Sequence, residues 1–192
     1  MNGSRAFTNE EIIKISASLK LRDRAIFIIG IGCGLRISEI TTLKRASILS
    51  HTGEIKSALI VERKNVKGKF CGRTLPIHAD IAKVLKEYIG DNKNQFGYLF
   101  PGRSGRPLNR TVFHKSLDVA IISSGINIGI GKISSHSMRK TFAKKFYKDC
   151  GKNIHLLQKA LGHRDINSTT QYMDVDMEEI FRIITNMKIT KE

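Results

Sequence analysis

The sequence predicts an α+β domain, mostly helical, with one small antiparallel sheet. Three observations carry this. Apolar residues recur at helical spacing through both ends of the chain. A single stretch, Ile48 to Ile77, changes to short β-branched runs around a basic turn. The 192 residues hold 41% hydrophobics, room for one domain with a substantial core.

Thr8-Asn9-Glu10-Glu11 has the form of a capping box, a hydroxyl followed three residues later by a carboxylate. Ile12, Ile13, Ile15 and Leu19 continue it as a helix. A second helix is predicted from Arg22 to about Ile31, ended by Gly30, Gly32 and Gly34, with Ser38 capping a third through Leu43. Those glycines follow a helix and are spaced GxGxG, so they do not form a dinucleotide fingerprint. Ala58 to Val61 and Arg73 to Ile77 read as the strands of a hairpin whose tip is Arg63-Lys64-Asn65-Val66-Lys67-Gly68-Lys69. A helix over Ile81 to Ile89 follows, then a Gly/Pro-rich loop from Asp91 to Arg106. Asn109 caps a helix through Ile122, and Gly125 to Gly131 is a loop. Ser137 or Ser135 caps the next helix, through Tyr147 and ended by Gly151. Asn153 to Leu161 forms another, ended by Gly162, and a short one runs through Tyr172. Asp176 to Met187 is a final amphipathic helix with Met177, Ile180, Phe181 and Ile184 on one face, suited to core packing or to docking.

Charge narrows the function. Thirty-three Lys and Arg against seventeen Asp and Glu leave a net +16, and a folded domain with that excess is built to meet a polyanion, most often nucleic acid. No apolar run approaches a membrane span and no secretory signal opens the chain. Cys33, Cys71 and Cys150 form neither a CxxC pair nor a zinc spacing, and suit a reducing cytoplasm. With no Trp and 7% aromatics, base stacking on an aromatic platform is not the expected binding mode.

His136 and Arg139 stand at i and i+3, the same side of a helix start. His163 follows Leu161-Gly162, and Tyr172 comes nine positions later. Arg36 sits beside the Gly34 turn. Taken singly, each reads as a cap, a core side chain or an ion-pair partner. Together with a basic hairpin they compose a phosphate site. Charge that builds on a phosphodiester's nonbridging oxygens is held best by arginine forks. A tyrosine near pKa 10 is about one part in a thousand phenolate at pH 7, a deficit of about 4 kcal/mol unless a base takes the proton. Histidine suits that role, and lysine can protonate a leaving oxygen where arginine cannot. No carboxylate cluster suggests a Mg²⁺ site, so the sequence predicts metal-free, cofactor-free chemistry.

These stretches resemble the tyrosine recombinases of the phage integrase type. The matching pieces are Gly34-Leu35-Arg36-Ile37-Ser38-Glu39-Ile40, the hairpin lysine region, His136-x-x-Arg139, Leu161-Gly162-His163 and Thr169-Thr170-Gln171-Tyr172, in family order over nearly the whole chain. The resemblance implies a tyrosine recombinase catalytic fold over residues 1–192, without the N-terminal core-binding domain of most relatives. The chain is then either a catalytic fragment or complete, like the short fimbrial phase-switch recombinases. It implies that Arg36 and Arg139 clamp the scissile phosphate, that His163 hydrogen-bonds it, and that His136 assists proton transfer from Tyr172. Tyr172 attacks to give a 3′-phosphotyrosyl link, and Glu39 braces the site. Lys67, just before Gly68, best matches the family's hairpin lysine, with Lys64 and Lys69 as the other candidates. Lys64, Lys69, Arg73, Lys140, Lys144, Lys145 and Lys148 are expected to line double-stranded DNA, with Arg103, Arg106 and Arg110 adding phosphate contacts. A homo-oligomer assembled on DNA as a tetrameric synapse, weakly associated or monomeric when free, and a cytoplasmic, nucleoid-associated location in a bacterial or phage setting complete the expectation. Two other functions share the residues: type IB topoisomerase-like relaxation and a catalytically retired DNA-binding regulator.

Overall fold

The computed structural model describes residues 4–61, 72–92, 94–126, 133–163, 165–170 and 185. Helices α1 (Asn9–Ser18), α2 (Leu21–Cys33) and α3 (Ile37–Thr41) come first, then a 3-10 turn at Arg45–Ser47. Strands β1 (Ala58–Val61) and β2 (Arg73–Pro76) precede α4 (Ala79–Ile89), α5 (Arg110–Ser123), α6 (Ser135–Asp149), α7 (Ile154–Leu161) and α8 (Asn167–Thr170). The structure is therefore mostly helical with a two-stranded antiparallel sheet, the predicted class.

The core is organised around α2, which packs against α1, α3, α4, α5 and α6. Its sequence explains that position: Ala25, Ile26, Phe27 and Ile29 are all fully buried, so the helix is apolar on more than one face. Each large side chain buried there contributes about 1.5–3 kcal/mol relative to exposure. The predicted end of α2 is too early. Gly30 and Gly32 lie inside the helix, where partner side chains come close. A Cβ on Gly30 would stand 2.8 Å from the Met138 sulfur, and one on Gly32 would stand 2.6 Å from Ile81 Cδ1. Only Gly34 terminates it, in the left-handed region at φ 62°.

Capping follows the sequence at α1 and α5. Thr8 and Glu11 form the predicted box on α1, and Asn109 and Asn153 cap α5 and α7. Two caps shift. Arg36, not Ser38, is the N-cap of α3, because the Glu39 carboxylate takes the Arg36 N–H at 2.7 Å and draws the helix start back. Ser134 caps α6 in place of Ser135 or Ser137, and Ser137 closes a reciprocal box with it. The N-terminal segment is strapped onto α6: the Phe7 N–H donates to Thr141 Oγ1 at 2.8 Å, and Arg5 pairs with Glu11.

The hairpin strands pair as Ala58↔Pro76, Leu59↔Leu75, Ile60↔Thr74 and Val61↔Arg73. Leu59 and Val61 are buried, so the Arg73/Leu75 face of β2 is the inward one. A second small apolar cluster, Ala143, Leu157 and Leu161 against Phe142, Phe146 and Tyr147, seats α7 on α6. That packing delivers the C-terminal end of α7 to Arg139. The predicted hairpin tip, Cys71, Tyr172 and the final helix apart from Thr185 lie outside the described residues.

Candidate active site

Three segments far apart in sequence build one site. The first is the α2–α3 corner. Left-handed Gly34 turns the chain sharply, and a Cβ there would stand 2.3 Å from Phe142 Cδ1. Leu35 is buried beyond the turn, and Arg36 emerges with its side chain 37% exposed. Glu39, whose side chain is 16% exposed, bends back toward it, with Oε1 3.8 Å from Arg36 Nη1.

The second segment is α6. Arg139 is the largest fully buried side chain among the described residues, 1% exposed. A guanidinium so placed requires dense compensation. It has it: Nη1 donates to the Gly34 carbonyl at 2.5 Å, Nη2 donates to the Leu161 carbonyl at 2.9 Å, and Glu39 Oε2 stands 3.9 Å from Nη1. One turn earlier, His136 is exposed at the helix start. Partial desolvation, and then the charges of Arg139, Lys140 and Arg36, push its imidazole below its ordinary pKa and favour the neutral ring.

The third segment follows α7. Gly162 takes the left-handed conformation at φ 64° and passes the chain to His163. The His163 Nε2 lies 2.6 Å from Arg139 Nη2, and its Nδ1 lies 2.9 Å from Thr169 Oγ1. A guanidinium only donates, so Nε2 is the acceptor and the neutral ring carries its proton on Nδ1, donating to Thr169. The Gln158 side chain donates to the His163 carbonyl at 3.3 Å.

Arg36, Glu39, His136, Arg139 and His163 are thus brought to one place, while Lys64, Lys67, Lys69 and Tyr172 fall outside the described residues. Arg73, grouped by sequence with the DNA-lining residues, points inward. Its Nη2 lies 3.3 Å from Glu39 Oε2, and its Nη1 donates to the Ala160 carbonyl at 2.9 Å. Lys140, Lys144 and Lys148 follow one another at i+4 along α6, in line with His136. Lys145 lies on another side, beside Ile12, Ile28, Phe146 and Asp149 in a cleft of about 510 Å³ between α1, α2 and α6. Thr169 is fully buried against His163, a contact that the sequence signals only through its place in the Thr169-Thr170-Gln171-Tyr172 stretch. Among the described residues no helix is long and apolar enough to cross a membrane.

Known proteins are similar to this chain in sequence and in fold. The chain is 28% identical over 179 residues to tyrosine recombinase XerA of Thermococcus onnurineus, covering 92% of this chain and 60% of that protein. It is 30% identical over 172 residues to tyrosine recombinase XerD of Rhizobium meliloti, covering 87% of this chain and 51% of that one. The chain therefore spans roughly half to three-fifths of the length of these curated relatives. Among solved structures, a XerA recombinase crystal structure superposes with a TM-score of 0.72 at 19% identity, covering 98% of this chain and 66% of that one. A pre-cleavage complex of XerH recombinase with its difH substrate gives 0.68 at 22% identity, covering 98% and 56%. Residues 5–179 match the family model described as the phage integrase family, and with nearly the whole chain so matched, the protein belongs to that family.

Proposed function

We propose that this chain is the catalytic domain of a site-specific DNA recombinase, cutting and rejoining duplex DNA through a 3′-phosphotyrosyl intermediate. The observation that carries the reading is the convergence of Arg36 on one carboxylate-braced site with Arg139 and His163, which lie more than a hundred residues further along the chain. Its excess of positive charge answers a phosphodiester, and the relatives include a recombinase solved on DNA.

Arg36, with its guanidinium partly open to solvent, takes one nonbridging oxygen of the scissile phosphate. Arg139 and His163 address the other by exchanging their mutual hydrogen bond for bonds to the phosphate, once the His163 ring has gained a proton on Nε2 or moved one there. Donors fixed where charge develops stabilise the transition state without reorganising at the moment of reaction. Tyr172 Oη attacks phosphorus as its proton passes to neutral His136. The bond to the 5′ oxygen breaks, and Lys67 protonates that oxygen. In the second half the 5′ hydroxyl of another strand attacks the phosphotyrosine and returns its proton to Lys67, Tyr172 departs and recovers its proton from His136, and the number of phosphodiester bonds is conserved. No step requires a metal or cofactor. Strand exchange between duplexes calls for several copies assembled on DNA, a tetrameric synapse in the fullest form.

The test is a set of nicked duplexes with randomised sequence around the nick, which trap the cut strand. A covalent protein–DNA adduct that survives EDTA and denaturant, and that is absent from Tyr172→Phe, is expected. No adduct from any sequence overturns the catalytic reading in favour of a DNA-binding regulator. Relaxation of supercoils without exchange between duplexes moves it to a type IB topoisomerase.

A further inference from the structure

Arg73 stands where the parts of the site meet. Its pairing with Val61 puts it on the inward face of β2, and its side chain is 17% exposed, against 37% for Arg36. Nη1 donates to the Ala160 carbonyl at 2.9 Å and Nη2 approaches Glu39 at 3.3 Å. Ala160 and Leu161 are the last two residues of α7, and Arg139 takes the carbonyl of the second. Carbonyls at a helix C-terminus lack intrahelical partners and carry the negative end of the dipole. Two guanidiniums on consecutive ones therefore fix the helix end from two sides. Gly162 leaves space for this fork, since a Cβ there would stand 2.8 Å from Arg73 Nη1. His163 is the next residue.

We propose that Arg73 is a positioning residue, which ties β2 to Glu39 and to the end of α7 and so sets where His163 stands. Its role is not to bind a DNA phosphate. The proposal rests on the recombinase reading for its catalytic consequence, but its geometric content stands apart from it. Because β2 follows Lys64, Lys67 and Lys69 in sequence, the same fork ties the strand after those lysines to the histidine. Lysine keeps the charge of Arg73 without the two-pronged reach, so the two roles separate cleanly.

The experiment compares wild type with Arg73→Ala, Arg73→Lys and Arg73→Gln in the full chain, with ¹⁵N-histidine labelling. The His163 ring resonances are expected to shift in all three variants while thermal melting still shows a folded protein. Should the alanine variant fail to fold, the lysine and glutamine variants carry the measurement. DNA affinity and its salt dependence are expected to stay at wild-type values, and adduct formation to fall about a hundredfold, the penalty typical of an ångström-scale misplacement. Unmoved His163 resonances overturn the proposal, whether or not the wild type cleaves DNA. So does a salt slope shallower by about one phosphate contact in Arg73→Ala, or cleavage restored by Arg73→Lys, since both mark a phosphate ligand.

Discussion

Arg139 Nη2 lies 2.6 Å from His163 Nε2, and this one contact fixes the protonation pattern of the ring. The arginine cannot accept, so the proton sits on Nδ1 and goes to Thr169. A phosphate oxygen can receive a proton from His163 Nε2 only once Arg139 has turned its own N–H away and the ring has gained or moved a proton. In this arrangement the Arg139 donor and the His163 Nε2 acceptor satisfy one another.

Thr169→Val tests this. Valine keeps the volume, removes the hydroxyl and leaves Nδ1–H without that acceptor, at a cost of about 1–3 kcal/mol. In a chain of this size that is a melting temperature lower by about 2–10 °C. Long-range ¹⁵N–¹H spectra of the wild type should show the Nδ1–H form at His163, and the variant should lose its dominance. A wild-type ring protonated on Nε2 alone contradicts the Arg139 contact.

His136 supplies a pH prediction. Desolvation and three nearby cations hold its pKa down, so the ring is neutral at pH 7 and protonates only below its ordinary range near 6.5. If it receives the Tyr172 proton, cleavage is intact at neutral pH and declines as pH falls through the depressed value. Lys140→Ala removes one of the cations and should move the titration upward, by more than Arg36→Ala does, because Lys140 has the larger effect. The His136 ring signals in the DNA-free protein read both midpoints. A midpoint above 6.5 in the wild type, or no movement in Lys140→Ala, refutes this assignment.

How far the sequence foretold the site depended on range. Caps at Thr8 and Asn109 were legible because the partner lies within three residues. Arg36 and Arg139 were legible as chemistry, but their degree of exposure was not, since Arg139 is buried by the Gly34 and Leu161 carbonyls, 105 and 22 residues away. The contacts of Arg73 with Glu39 and the Ala160 carbonyl, 34 and 87 residues away, were hidden for the same reason. A basic residue beside a basic hairpin reads as part of it, although period-two alternation with Leu75 already put it on the apolar face. Gly30 and Gly32 read as breakers because their actual reason, the approach of Met138 and Ile81, is tertiary.

The hairpin lysine is separable by leaving-group chemistry. If Lys67 protonates the 5′ oxygen, Lys67→Ala slows cleavage by about 10²–10⁴-fold, the usual contribution of general acid catalysis. A 5′-bridging phosphorothiolate, whose sulfur leaves without needing a proton, should then recover most of that rate. Adduct yield on the two substrates measures it. Rescue at Lys64 or Lys69 instead of Lys67 transfers the role to that residue.

The last prediction uses the two sides of α6. Lys140 and Lys144 continue along α6 from His136 at i+4 spacing, and under the proposed function that side is expected to meet the duplex. Lys145 is turned toward the cleft beside Ile12, Phe146 and Asp149. On B-form DNA the logarithm of affinity falls with the logarithm of salt at about 0.9 per phosphate neutralised. Lys144→Ala should therefore weaken binding across all sequences and reduce the salt slope by about one, while Lys145→Ala leaves the slope unchanged. Binding isotherms at several salt concentrations distinguish the neighbours. Equal losses from both would mean that the duplex wraps past the Lys144 side, and a loss from Lys145 alone would place it on the opposite side of α6.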